Sequence, residues 1–214
     1  MEKIKTSKQR ILVIALTLCM LFTLFAPATN VNAASKRAKA LTAYQKKLKK
    51  LDSSAYKFAL VYLDKDSVPE LLITPYDGAH AFAGKAYIYT SGKLKQLKYA
   101  GSDYGRFIYS EKKSVVSNSA WVNRYGAIAT FYYFTSKGKG IKLKKFEEVN
   151  SPKYLYKING KKVSKKKYNS EYKKMVKKYP LKQIWPIDAF DLTTDNINNL
   201  IKYYKSFVVT GDKF

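Results

Sequence analysis

Three carboxylates within seven residues, Asp64, Asp66 and Glu70, are the side chains here whose type and spacing could do chemistry. They belong to the turn Asp64-Lys-Asp-Ser-Val-Pro-Glu70. Hard oxygen ligands at alternate positions converge on one centre where the chain bends sharply, and that is how a calcium loop is made. Laid on the pattern Asp-x-Asp-x-Asp-Gly-x-x-Asp/Glu, the three fill its third, fifth and ninth positions, and the Val68 carbonyl its seventh. Tyr62 stands where the first aspartate belongs and Ser67 where the glycine belongs, while Lys65 places a positive charge inside the loop. A residue other than glycine at a positive φ costs on the order of 1 kcal/mol. The expectation is a degenerate turn whose carboxylates accept backbone and lysine hydrogen bonds. Asp64, Asp66 and Glu70 are the candidate metal ligands and calcium the candidate ion.

Other constellations are missing. His80 is the single histidine and Cys19 the single cysteine, so neither a Ser-His-Asp or Cys-His set nor a zinc site can be assembled. A two-carboxylate hydrolase built on Asp64, Asp66 and Glu70 is the catalytic alternative. The remaining acidic residues stand in no catalytic context. Gly138-Lys139-Gly140 joins two strands and opens no helix, which excludes a phosphate loop. No catalytic residue is therefore assigned.

The elements that must hold the turn are legible around it. In Tyr56–Leu63 both alternating sets are apolar: Phe58, Leu60 and Tyr62 on one side, Ala59, Val61 and Leu63 on the other. Such a strand belongs in the middle of a covered sheet. Glu70–Thr74 is its partner, ended by Pro75-Tyr76-Asp77-Gly78. Three aromatic strands then turn at glycine into lysine-rich continuations, at Tyr87–Lys95, Tyr132–Lys142 and Tyr154–Lys162, with Asn159-Gly160 the clearest hairpin signal. Arg106–Ser110, Ser114–Ser117 and Ala127–Thr135 supply further strands. Ser35–Leu51 carries Leu41, Tyr44, Leu48 and Leu51 at helical spacing. Ser164 caps a second helix, and Thr193 a third with Ile197, Leu200, Ile201 and Tyr204 on one stripe. The predicted fold is α+β, an antiparallel β meander sheet packed by an N-terminal helix and two C-terminal helices.

Residues 1–33 read as a secretory signal peptide. Lys3, Lys5, Lys8 and Arg10 precede the apolar run Ile11–Phe25, and Val31-Asn32-Ala33 offers small residues for cleavage. Residues 34–214 then form a single extracellular domain without cysteine, long enough for one sizeable core. The chain carries 41 Lys+Arg against 15 Asp+Glu, a formal +26. Removing the signal takes away four basic residues and Glu2 and leaves +23. A lysine surface of that size associates with polyanions, although no nucleic-acid motif accompanies it. The chain has 19 tyrosines, and those on strands suit half-buried sheet positions.

The stretch Phe58-Ala-Leu-Val-Tyr-Leu-Asp-Lys-Asp-Ser-Val-Pro-Glu-Leu-Leu72 resembles a recurrent element, roughly Phe-Ala-Leu-x-Asp-Ile-Asp-Gly-Asp-Gly-Ile-Pro-Glu-Leu, of exported, signal-peptide-bearing proteins of Gram-positive gut bacteria. Similar loops lie between strands of integrin-like β-propeller repeats, where they bind calcium. The likeness extends loosely to the helix before the stretch, to Tyr89-Thr-Ser-Gly-Lys93 and to Asn159-Gly-Lys-Lys-Val-Ser164, and it is specific only at the acidic turn. It implies an extracellular domain and assigns no activity. Together these readings predict a non-catalytic, secreted domain retained at the cell wall by lysine charge on anionic wall polymers. The rival is a small extracellular hydrolase or calcium-dependent binding protein using the Asp64/Asp66/Glu70 turn.

Overall fold

A strand that is apolar on both faces needs two covers. The computed structural model describes residues 29–76, 84–101, 106–121, 126–150 and 154–213, and it supplies a different cover on each face. Strands β1 (Tyr56–Val61), β2 (Glu70–Pro75), β3 (Lys85–Thr90), β4 (Lys93–Gln96) and β12 (Phe190–Asp191) form a first antiparallel sheet in the order β12-β1-β2-β3-β4. On one face Phe58, Leu60, Leu71, Ile73 and Tyr87 meet Leu41, Tyr44 and Leu48 of helix α1 (Thr29–Leu48), together with Leu192, Ile197, Leu200 and Phe207 near the C-terminus. On the other face Ala59, Val61, Leu72, Ala86 and Ile88 meet a second sheet through Phe107, Tyr109, Val116, Phe134 and Ile184. The predicted alternation of β1 is therefore observed, with β2 and β12 as its neighbours.

The second sheet is also antiparallel. It is built from β5 (Phe107–Ser110), β6 (Val115–Trp121), β7 (Gly126–Phe134), β8 (Gly140–Asn150), β9 (Tyr154–Ile158), β10 (Lys161–Val163), β11 (Lys182–Ile184) and β13 (Asp212–Lys213), in the order β10-β9-β8-β7-β6-β5-β11-β13. Its far face, with Ile108, Val115, Phe131 and Phe146, is covered by helix α2 (Lys165–Lys178) through Tyr168, Tyr172, Met175 and Val176. The α+β class stands, and the meander is divided: two sheets stack between α1 and the C-terminal segment on one side and α2 on the other. Of the chain's two compact units, Met1–Lys36 and Arg37–Phe214, this layering belongs to the second. Within the first, residues 29–36 are described, as the opening turns of α1.

Local signals place the element ends. Asn159 and Gly160 at the β9–β10 turn have φ of 50° and 81°, the pair of left-handed residues that a tight hairpin asks for. Ser91 and Gly92 do the same between β3 and β4. The Ser164 hydroxyl accepts the Lys167 N–H (3.2 Å) at the start of α2. The Thr193 hydroxyl accepts the Asn196 N–H (3.1 Å) at the start of α3 (Thr194–Asn199). Helix α3 stops sooner than its apolar spacing predicts. The chain re-enters a 3-10 turn at Tyr204–Phe207, leaving Ile201 exposed and carrying Phe207 into the core.

Helix α2 has no fully buried residue, so it leans on its cap. Ser164→Ala is expected to cost about 1 kcal/mol and to lower the melting temperature by about 2–4 °C. Scanning calorimetry checks this, and an unmoved transition would show that the cap contributes nothing.

Candidate functional site

The acidic turn lies where β1 hands over to β2, immediately beyond the Val61–Glu70 pair. Asx side chains reach the backbone N–H two residues on, and this turn does so twice. The Asp66 N–H donates to Asp64 Oδ1 and the Val68 N–H to Asp66 Oδ1, both at 2.8 Å. Glu70 closes the ring, accepting the Leu63 N–H on Oε2 at 2.8 Å. One carboxylate oxygen from each of Asp64, Asp66 and Glu70 can lie within 4.8 Å of the others. The structure thus brings together the three residues that the sequence singles out.

Their environments differ. Asp64 and Asp66 are half-buried, whereas Glu70 is 2% exposed. Burial, then the charge of Asp64, pushes the Glu70 carboxyl well above the ordinary range; the Leu63 N–H opposes this and Asp66 adds to it. Tyr44 of α1, also fully buried, donates its hydroxyl to the Pro69 carbonyl (2.9 Å). Its own ionisation is pushed up by burial and then by Glu70.

One expectation about the turn is corrected, and the place of Tyr62 is explained. Ser67 is not among the described residues with positive φ, which outside glycine are Ser91, Tyr99, Lys112, Ser114 and Asn159. The turn bends without a left-handed residue, so serine there carries no strain. Tyr62 is engaged elsewhere: it hydrogen-bonds Tyr204 and lies in the field of Arg37, whose guanidinium sits 4.9 Å from the Tyr204 ring centre.

Sequence reasoning also missed what the turn joins. The Lys112 N–H donates to the Tyr62 carbonyl (3.0 Å) and the Ser114 N–H to the Leu63 carbonyl (2.7 Å). Both donors sit in the β5–β6 turn at φ of 56°. The acidic turn is therefore tied to α1 through Tyr44 and to the second sheet through Lys112 and Ser114. Only the unusual φ values of the β5–β6 turn make this contact, and its Glu-Lys-Lys-Ser sequence carries no such signal.

An open groove of about 670 Å³ lies beside the turn, lined by Asp64, Lys65, Asp66, Lys112, Lys113 and Tyr133 among others. Three carboxylates so close together can face one hard cation, and calcium takes six to eight oxygens. Here three lysines share the groove with Asp64 and Asp66. For acid–base work a carboxyl must touch substrate, and Glu70, whose pKa is raised, is buried and held by backbone.

Other acidic side chains have structural partners. Glu111 pairs with Lys182 (2.6 Å), Asp191 with Lys57 (3.2 Å) and Glu147 with Lys145 (2.8 Å), and Asp188 accepts the Trp185 N–H (2.8 Å). His80, Asp77 and Asp103 lie outside the described residues. Of the strand tyrosines Tyr87, Tyr109 and Tyr156 are buried and Tyr133 and Tyr154 exposed, while Tyr44, Tyr168 and Tyr172 reach the core from helices, the last two packing on Phe146.

The lysine charge is less diffuse than composition implies. Lys161, Lys162, Lys165, Lys166, Lys167, Lys173, Lys174, Lys177 and Lys178 are all exposed along β10 and α2. The tyrosines and Met175 turn inward, so helical spacing sets the lysines in two rows on the outer face, Lys166/Lys173/Lys177 and Lys167/Lys174/Lys178. Glu171, the only acid of the helix, is held by Lys144 (2.8 Å) and Lys174 (3.0 Å). Those two ammonium groups bring its carboxyl down to about 2. Among the described residues no helix is long and apolar enough to cross a membrane.

No protein-family model matches the chain, and no curated protein matches it. The solved structure of a Xanthomonas Type IV Secretion System related protein is similar at a TM-score of 0.38 and 12% identity, over 50% of this chain and 58% of that one. The chain thus spans little more than half the length of that protein, and a likeness at this level carries no argument about fold or role.

Proposed function

We propose that this is a non-catalytic exported domain that holds anionic cell-envelope polymers on its lysine surface, with α2 as the principal contact. The observation that carries the reading is the double row of exposed lysines on α2, whose one acid is already neutralised. At 1.5 Å per residue the 14-residue helix presents these cations over roughly 21 Å. A linear phosphate- or carboxylate-bearing polymer lying along it releases counterions at every contact. The proposal places the mature N-terminus at Ala34, after removal of residues 1–33, and the protein outside the cytoplasm and retained at the wall.

On the same reading the acidic turn fastens α1 to both sheets and needs no ion for it. Its carboxylates already accept three backbone N–H groups, and Lys65, Lys112 and Lys113 share the adjoining groove. The test of attachment is salt. The Debye length falls from about 10 Å at 0.1 M to about 3 Å at 1 M, so the protein is expected to bind isolated walls or a polyphosphate column at low salt and to leave it well before 1 M. Retention in molar salt would replace the charge argument with a specific pocket or an apolar contact.

A further inference from the structure

We infer that the groove between α2 and the β11–β13 edge is a site for a free single-chain anionic amphiphile, an acyl carboxylate in the simplest case. The groove encloses about 570 Å³ and is lined by Asn169, Tyr172, Lys173, Val176, Lys177, Pro180, Leu181 and Lys213. Its floor is apolar: Tyr172, Val176 and Leu181 belong to the core beneath α2, and Pro180 extends it outward. Its rim is cationic. Lys173 and Lys177 stand one helical turn apart on the α2 side, and Lys213 of β13 approaches from the sheet side. No carboxylate lines it. Lysine stems lie readily along apolar surface while their heads stay in water. Small-ligand sites have this composition and size, with an apolar body and a few polar groups that fix orientation.

The rim chooses the ligand. An apolar chain without charge leaves three ammonium groups unmatched, and a cationic amphiphile meets repulsion from all of them. A carboxylate at one end of an alkyl chain satisfies both parts of the groove. The residues from Asn169 to Lys177 run over eight positions of helix, about 12 Å, which matches an extended chain of medium length. A bilayer is a poorer occupant, because its flat headgroup plane cannot place a chain in a concave groove without losing the lipid.

The apolar floor and Lys213 lie apart from the outer lysine rows that carry the proposed polymer contact, while Lys173 and Lys177 border both, so the two are separated by the ligand's apolar chain and by Lys213. Isothermal titration with decanoate below its micellar concentration is expected to show one site on the protein. Decan-1-ol should bind at least 5-fold more weakly and decyltrimethylammonium not measurably. Lys173→Gln with Lys177→Gln should weaken decanoate at least 5-fold, Val176→Asp should abolish it, and Lys213→Gln should weaken it at least 3-fold while elution from the polyphosphate column stays near that of the parent. Should Val176→Asp fail to fold, the exposed lysine pair and Lys213→Gln still decide the matter. Equal affinity for the three decyl compounds, or unchanged decanoate affinity in the lysine pair, would overturn the inference. Binding only to decanoate-free anionic vesicles would assign the surface to a bilayer instead, and it too would overturn the inference.

Discussion

Glu70→Ala is expected to lower the melting temperature by about 5–10 °C, whereas Glu70→Gln should leave it unchanged or raise it at neutral pH. Alanine leaves the buried Leu63 N–H without its partner, a loss of about 1–3 kcal/mol, and opens a void where the side chain was. In a domain of this size each kcal/mol moves the transition by about 2–4 °C. Glutamine retains an acceptor for that N–H and gives up only the charge. The sign follows from the carboxyl's pKa, which folding raises above its ordinary value of 4.5. A raised acid binds its proton more tightly when folded. Its stabilising contribution is complete below about pH 4.5 and is lost as pH rises through the folded value. Above that, the charge opposes folding. The parent is therefore expected to lose stability relative to Glu70→Gln as pH rises above about 4.5 and through the raised folded value, and denaturant melts across pH measure it.

The same variants test whether the turn works without an ion. A bound cation stabilises the folded state by RT ln(1 + [L]/Kd), about 2.7 kcal/mol at 100-fold excess over Kd. Millimolar calcium is expected to move the parent's transition no more than magnesium does. A shift of several degrees specific to calcium, abolished by Glu70→Gln, would make Asp64, Asp66 and Glu70 a working calcium site and end the fastener reading.

The second large effect concerns α2. Replacing Lys166, Lys167, Lys174 and Lys178 together by Gln removes four cations from the outer face. Each phosphate contact contributes about 0.7–0.9 to the slope of log K against log salt. If all four contact the polymer, the slope should become shallower by about 3. Affinity for polyphosphate at 50 mM salt should then fall by at least tenfold. Exposed substitutions of this kind change stability little, so the melting temperature serves as a control for folding. Unchanged elution of this variant would remove α2 from the contact.

The central strand was legible in the sequence because Phe58/Leu60 and Ala59/Val61 are apolar on opposite sides, and alternation reports burial directly. Ser164, Thr193 and Asn159-Gly160 were legible because capping and positive φ each demand particular residue types. Alternation does not say what lies across the face. A helix and a second sheet both satisfy Ala59 and Val61, which is why one meander was expected where two stacked sheets are found. The three carboxylates were found by their spacing. Their attachment to Lys112 and Ser114 was not, since backbone hydrogen bonds leave no trace in side-chain type. The groove under α2 was missed for a related reason: Lys213 joins Lys173 and Lys177 only through the pairing of β13 with β11.

The pairing of β1 with β12 sets the time at which this molecule can fold. Phe58 lies opposite Phe190, Val209 donates to the Leu60 carbonyl, and Phe207 packs on the Phe58 ring at 5.3 Å. The first sheet's edge and part of the cover of its outer face thus come from the end of the chain. Contacts between residues so distant in sequence form late, because their loop must close before they give anything back. A chain that leaves the cytoplasm N-terminus first, as proposed here, passes β1 and β2 through the export channel long before their last partners are made. On the proposed export route, wiring of this kind defers closure of the first sheet until the C-terminal segment has followed it across.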